Sequence, residues 1–142
     1  MNSFLQTARM LSLGKIFYKT GESSKSQKIL SNIKTQFTSV EIADEKLMLL
    51  SRAARKMMNW DDTVVYWNQM IKTGRFGCYP YIELAKYYEH REKDNRLALE
   101  ITSKAIKLLE FEREFISVSV YKIQYESLMK RHRRLKSKID NS

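Results

Sequence analysis

Few side chains in this sequence have the types and spacing that catalysis or metal binding requires. His90 lies between Glu89 and Arg91, and a histidine base needs a nucleophile and an orienting group within hydrogen-bond reach, which the sequence does not nominate. Cys78 has weak support as an activated thiol, since one arginine in the same loop is its only favourable feature. One cysteine and two histidines, His90 and His132, do not make a zinc site. We therefore predict no catalytic residue, no metal, no cofactor and no enzyme activity.

Positive charge is concentrated at the two ends of the chain. The net charge is +10: residues 1–40 contribute +5, residues 41–129 are neutral, and "KRHRRLKSK" at 130–138 holds six cations and no acid. Such a segment suits phosphate contacts with nucleic acid, because each neutralised phosphate releases counterions. The alternative is a solvated helix end whose cations face the negative pole of the helix dipole. The candidate nucleic-acid contacts are Lys130, Arg131, Arg133, Arg134, Lys136 and Lys138.

Helices are the elements that must position these residues. The 142 residues include only four Gly and one Pro, too few for a fold rich in β-turns, while 43% hydrophobic and 30% charged residues allow a packed core. No run of about 18 apolar residues occurs, so we expect no membrane partner. The fold class that the composition predicts is all-α.

Small residues recur at a regular spacing among large ones. Gly14 and Ser26, then Ser51 and Thr63, then Ala85 and Ala98 fall at matching places in three segments, 34 to 37 residues apart. Small side chains are needed where two antiparallel helices approach closely, because bulk there would separate them. Three helical hairpins of this length resemble tetratricopeptide repeats.

The predicted organisation is one helical-repeat domain over residues 1–142. Its repeats cover about 4–37, 41–73 and 79–110, and a capping helix covers about 112–138. Gly21 ends the first helix, an aspartate of "NWDD" is available to cap the fourth, and Asp94 or Asn95 to cap the sixth. Apolar residues at helical spacings are expected to close the open end of the stack: Phe115, Ile116, Val120, Ile123 and Leu128.

The leading helix of each hairpin predicts a basic concave surface. Residues one, four and five after each close-contact point share one helix face. Six of these nine residues are Lys or Arg, so the face suits an acidic peptide or a nucleic-acid backbone; a solvated helix face is the alternative. The nine are Lys15, Tyr18, Lys19, Arg52, Arg55, Lys56, Lys86, Glu89 and His90.

The third repeat carries a more specific resemblance. The run "LAKYYEHREKDNRLALEITSKA" at 84–105 resembles the C-terminal repeat region of the YprB-type ribonuclease-H-like exonuclease proteins of bacteria. The matching residues are Leu84, Ala85, Lys86, Tyr87, Tyr88, Glu89, His90, Arg91, Lys93, Asp94, Ala98, Leu99, Thr102 and Ala105. In that family a separate domain upstream of the repeats carries the metal-dependent nuclease chemistry. The acids here are scattered along helices instead of clustered around metal ions, so nuclease activity is not carried over.

Two functions are compatible with these observations. The leading hypothesis is a non-catalytic interaction module, bacterial and cytoplasmic by resemblance, that takes a protein or acidic peptide and is associated with a ribonuclease-H-like exonuclease. The alternative is direct nucleic-acid binding through the basic groove and the basic C-terminal helix. The sequence does not fix the oligomeric state.

Overall fold

The computed structural model describes residues 3–35 and 38–142, and this part of the chain is all-helical. The helices are α1 (Ser3–Lys19), α2 (Ser23–Ser31), α3 (Val40–Lys56), α4 (Trp60–Thr73), α5 (Tyr79–His90), α6 (Asn95–Phe111) and α7 (Val118–Asp140). A short 3₁₀ turn, Arg113–Phe115, precedes α7. None of the helices described here combines the length and the apolar character needed to cross a bilayer.

The chain forms two compact units, residues 1–70 and 71–142, and α4 spans the boundary between them. In the first unit, α2 packs against α1 and α3 around a core that includes Leu11, Leu30 and Leu50. In the second, α6 packs against α5 and α7 around Ala105, Leu109 and Leu128. The predicted single repeat domain over 1–142 stays a prediction.

Local sequence signals explain where the helices begin. The side chains of Ser39, Asp94 and Ser117 accept hydrogen bonds from the first-turn backbone N–H groups of α3, α6 and α7. At α4 the cap is Asn59, whose Oδ1 lies 3.2 Å from the Asp62 backbone nitrogen, and not one of the aspartates that the sequence suggested. The aspartates lie inside the first turn, where they complement the helix dipole instead.

The residues predicted as close-contact points are all buried. Ser26 and Thr63 are 0% exposed, as are Ala85 and Ala98, and Ser51 is 1% exposed. At the α1–α2 contact, the Ser26 hydroxyl donates a 2.7 Å hydrogen bond to a backbone carbonyl of α1, that of Gly14. The structure confirms that small side chains allow close packing at this contact.

Gly14 gives a direct test of this packing. A Cβ atom there would lie 2.5 Å from a methyl carbon of the fully buried Leu30, so the leucine side chain would have to shift within the core. We expect Gly14→Val to lower the free energy of unfolding by about 1–3 kcal/mol, the usual cost of an overpacked core. The matched control, Gln6→Val at an exposed position of the same helix, should change it by less than about 0.5 kcal/mol. Thermal and urea unfolding of both variants measure the difference, and equal effects would contradict the close approach.

The last helix begins later than the sequence predicted. It starts at Val118 and not near 112, because the extended Ser117 caps it and the 3₁₀ turn fills the preceding residues. Of the apolar residues expected to close the stack, Leu128 is buried, whereas Phe115 is 81% and Ile123 is 69% exposed. The fully buried contacts of α7 are made by Leu128 near its middle and by Leu135 towards its C-terminus.

Candidate functional site

The basic segment of α7 is divided between two environments. Leu128 and Leu135 anchor the helix by their buried side chains. On one flank of this anchor Arg131, Arg134 and Lys138, at helical spacings of three and four, reach a single carboxylate on α5. The remaining three cations are exposed: Lys130, Arg133 and Lys136.

The carboxylate that the three cations share belongs to Glu89, and we call these four residues the Glu89 cluster. Arg131 Nη1 lies 2.8 Å from Oε1, and Lys138 Nζ lies 2.8 Å from Oε2. Arg134 binds both oxygens, with Nη2 2.7 Å from Oε1 and Nε 3.2 Å from Oε2. Both carboxylate oxygens are therefore satisfied by charge-assisted hydrogen bonds.

The cluster is buried at Glu89 and exposed to solvent at its outer cations, Arg134 and Lys138. The Glu89 side chain is 0% exposed, whereas those of Arg134 and Lys138 are 41% and 44% exposed. Arg131 is 17% exposed and lies deeper. Three cations against one carboxylate leave a surplus of two positive charges, and the outer two present it to solvent.

The neighbours of Glu89 control its protonation. Burial alone raises the pKa of this carboxyl, but the hydrogen bonds and charges of Arg134 and Lys138 outweigh burial and lower the pKa from 4.5 to about 2. The carboxylate is therefore ionised throughout the neutral and mildly acidic range, so the cluster persists there.

This shift predicts how stability depends on pH. Because the folded-state pKa of Glu89 lies below its unfolded value, the unfolded chain binds more protons between about pH 2 and pH 4.5. Stability from this group is fully present above pH 4.5 and is lost as pH falls towards 2, by about 3 kcal/mol in total. Urea unfolding at a series of pH values should show this loss in the native chain, and a Glu89→Gln chain should lack that component. Parallel pH profiles for the two chains would contradict the assignment.

The predicted concave residues of the first unit engage their neighbours. Lys15 on α1 forms an ion pair with Glu45 on α3, and the Lys56 ammonium lies 4.7 Å from the centre of the Tyr18 ring. Lys19 and Arg52 are exposed, as is Arg55. The structure thus brings residues of α1 and α3 together through Lys15 and Lys56, and the shared concave surface stays a prediction.

In the second unit the structure corrects the role predicted for Glu89. It does not lie on a face open to a partner, because α7 covers it and supplies its three cations. Lys86 pairs with Glu83 at 3.4 Å, while His90 is 59% exposed, with Nε2 3.5 Å from the Glu89 carboxylate. Of the three predicted concave residues of this unit, Glu89 is therefore taken up by the contact between α5 and α7, whereas Lys86 and His90 are exposed.

A groove between α6 and α7 adds cations that sequence reasoning missed. It has a volume of about 490 Å³, and Lys136 carries the charge of α7 into it. Ser103, Leu99 and Ile139 line it together with charged residues of both signs: Arg96, Lys104, Lys107, Glu100 and Asp140. The signal available in the sequence was the i, i+3 pair of lysines on α6, at 104 and 107. We call this surface the α6–α7 groove.

Two other candidates have structural explanations. Tyr121 and Tyr125, aromatic residues on the same helix as the basic segment, pack against the core of the second unit, with ring centres 5.5 Å apart and nearly parallel planes. Cys78 is buried and lies 3.4 Å from the Ala105 carbonyl oxygen; burial and the nearby Glu112 raise the pKa of its thiol to about 11. Burial and a raised pKa both disfavour the thiolate, so the environment of Cys78 does not activate it as a nucleophile. The residues described here contain no group of three His, Cys, Asp or Glu side chains that could hold a metal ion.

Comparison of the chain with protein-family models, with curated proteins and with solved structures gives no match. The resemblance to the YprB-type ribonuclease-H-like proteins therefore rests on the residues from Leu84 to Ala105 and stays a prediction.

Proposed function

We propose that this chain is a non-catalytic, tetratricopeptide-like interaction module that binds nucleic acid through backbone phosphates. The observation that carries the proposal is the concentration of positive charge on the C-terminal part of α7. The six cations of residues 130–138 lie on a helix that is anchored by buried leucines, and three of them share the buried carboxylate of Glu89.

The arrangement of charge favours a polyanion. After Glu89 is counted, five positive charges remain on nine residues of one rigid helix. Three of these cations are exposed on α7: Lys130, Arg133 and Lys136. The α6–α7 groove adds further cations from α6: Arg96, Lys104 and Lys107. Cations fixed in advance lose little conformational entropy on binding, and phosphates at regular intervals match several of them at once. Contacts of this kind position a strand and do not read its sequence.

The repeat architecture of the proposal rests on the six small residues predicted as close-contact points. Each is buried, at the equivalent places of three successive helix pairs. By the resemblance at 84–105, such a module would hold a substrate strand for a ribonuclease-H-like exonuclease domain. A second candidate function is docking of an acidic protein segment, because Lys19 and Arg52 are exposed on the predicted concave side of the first unit.

Fluorescence anisotropy of labelled single-stranded and duplex oligonucleotides tests the proposal at several salt concentrations. For five neutralised phosphates of a single strand, the slope of log affinity against log salt should be about −3 to −4. An Arg52→Glu, Arg55→Glu chain, altered outside α7, should keep most of the affinity. Absence of binding at low salt would contradict nucleic acid as the partner. Loss of binding in the Arg52→Glu, Arg55→Glu chain, in which α7 is unchanged, would contradict α7 as the phosphate site.

A further inference from the structure

Two apolar surfaces remain exposed after the cores of both units are formed. One lies where α6 turns into α7 and the other lies along α1. Isolated exposed apolar residues are ordinary, but a contiguous patch of them marks an interaction surface. The two surfaces differ in shape and in charge.

The first surface, which we call the α6–α7 corner, covers residues 111–118. Phe111, Phe115 and Val118 are 78%, 81% and 84% exposed, which is unusual for large apolar side chains in one short connection. Glu110 and Glu114 beside them are also exposed. The one cation of this connection, Arg113, is held over the Tyr121 ring, 5.0 Å from its centre. Residues 110–118 hold three glutamates and one arginine, so the corner presents its aromatic side chains beside a local net charge of −2.

The second surface, which we call the α1 stripe, is concave. Leu5, Ala8, Ser12 and Leu13 line a groove of about 360 Å³ together with Arg9, and they share one helix face at spacings of three and four. Leu5 is 58% exposed, and Ile16, 53% exposed, extends the same face. Helix α1 holds three cations and no acid; Lys15 is paired with Glu45 of α3, whereas Arg9 lines the groove and Lys19 is exposed. The stripe is therefore an apolar groove in a basic surrounding.

We infer that the α6–α7 corner of one copy docks into the α1 stripe of a second copy of this chain. The projecting phenylalanines fit an apolar groove large enough for an aromatic ring, and Arg9 in that groove would pair with Glu114 at the corner. The opposite charges around the two surfaces also fix the pairing, because corner against corner or stripe against stripe would oppose like charges. Both surfaces are exposed on the same chain, so the second copy supplies the complementary partner for each of them.

The contact joins two different surfaces and is heterologous. Each copy that uses its corner keeps its own stripe free for the next copy, so association grows head to tail with concentration. None of the residues of the corner or of the stripe belongs to the surface proposed to bind phosphates, so the inference does not rest on the nucleic-acid function.

Sedimentation velocity over a wide range of protein concentrations tests the inference. The native chain should show a mass that rises with concentration, whereas Phe115→Asp and Leu5→Asp should each need at least about tenfold more protein to associate. The control Val65→Asp, at a 51% exposed residue of α4 outside both surfaces, should associate like the native chain.

Mixing the two variants gives the sharper test. A Leu5→Asp copy keeps its corner and a Phe115→Asp copy keeps its stripe, so an equimolar mixture should form dimers and nothing larger. An Arg9→Glu, Glu114→Arg double variant should recover association that either change alone weakens. A monomeric native chain at every concentration, or a mixture that stays monomeric, would overturn the inference. Circular dichroism and thermal unfolding confirm that each variant is folded.

Discussion

Replacement of Glu89 by glutamine is expected to lower the free energy of unfolding by about 3 kcal/mol at neutral pH. Glutamine keeps the shape of the side chain but removes the charge that three cations share. Removal of one partner from a buried ionic group costs about 3–5 kcal/mol, since the groups left behind stay desolvated and repel each other. The value belongs at the low end of that range because Arg134 and Lys138 are partly exposed. This value also agrees with the loss of unfolding free energy that is expected when the pKa of Glu89 returns from about 2 to 4.5.

The effect should be local as well as large. The cluster ties α7 to α5, so hydrogen exchange in the C-terminal half of α7 should accelerate more than exchange in α1 or α2. The matched control is Glu100→Gln, which removes an exposed acid 3.6 Å from Lys104 and should change stability by less than about 0.5 kcal/mol. Urea unfolding and exchange measurements give both quantities. If the two glutamine variants were equally stable, the Glu89 cluster would be a surface feature and not a tie between helices.

Removal of the three cations of residues 130–138 that do not bind Glu89 is expected to abolish most nucleic-acid binding. The variant carries Lys130→Ala, Arg133→Ala and Lys136→Ala, which leave the buried contacts of the helix in place. For a single strand, three lost phosphate contacts should reduce the salt slope by about 2 and the affinity at 0.1 M salt by about 100-fold. Fluorescence anisotropy titrations at several salt concentrations measure both the slope and the affinity.

The control for this experiment must remove the same charge elsewhere. Lys28→Ala, Lys34→Ala and Lys72→Ala together also remove three exposed cations and leave α7 unchanged. If binding depended only on net charge, both triple variants would lose affinity equally, and this outcome would contradict a site on α7. If α7 positions the phosphates, the control should lose less than about tenfold, through long-range attraction alone.

Several features of the fold followed from local sequence alone. Gly21, where the chain leaves α1, has φ of +84°, a conformation that glycine adopts without strain, and Asp94 caps α6 as expected. The all-α class was also predictable, as was the burial of the small residues Ser26 and Ala98. Such features depend on residues three to thirteen apart, where the spacing of side chains on a helix fixes their neighbours.

The site could be predicted only in part. The sequence identified the basic segment at 130–138 as a candidate, and it identified Glu89 as a surface residue. It could not show that the two meet, because Glu89 lies 42 to 49 residues before the cations that surround it. A charged residue on a helix shows no local sign of the helix that will later cover it. The exposure of Phe115 was missed for a different reason: its spacing from Ile123 suggested one buried helix face, but α7 begins only at Val118 and Ile123 is itself exposed.

The sequence by itself determined the all-helical class, the close packing of small residues and the concentration of cations near the C-terminus. These properties follow from composition and from short-range periodicity. Only the tertiary structure decided which cations bind Glu89 and which do not, because this choice depends on which helix α7 covers. By packing Leu128 and Leu135 into the second unit, the fold turns Arg131, Arg134 and Lys138 towards Glu89 and leaves the other three cations exposed.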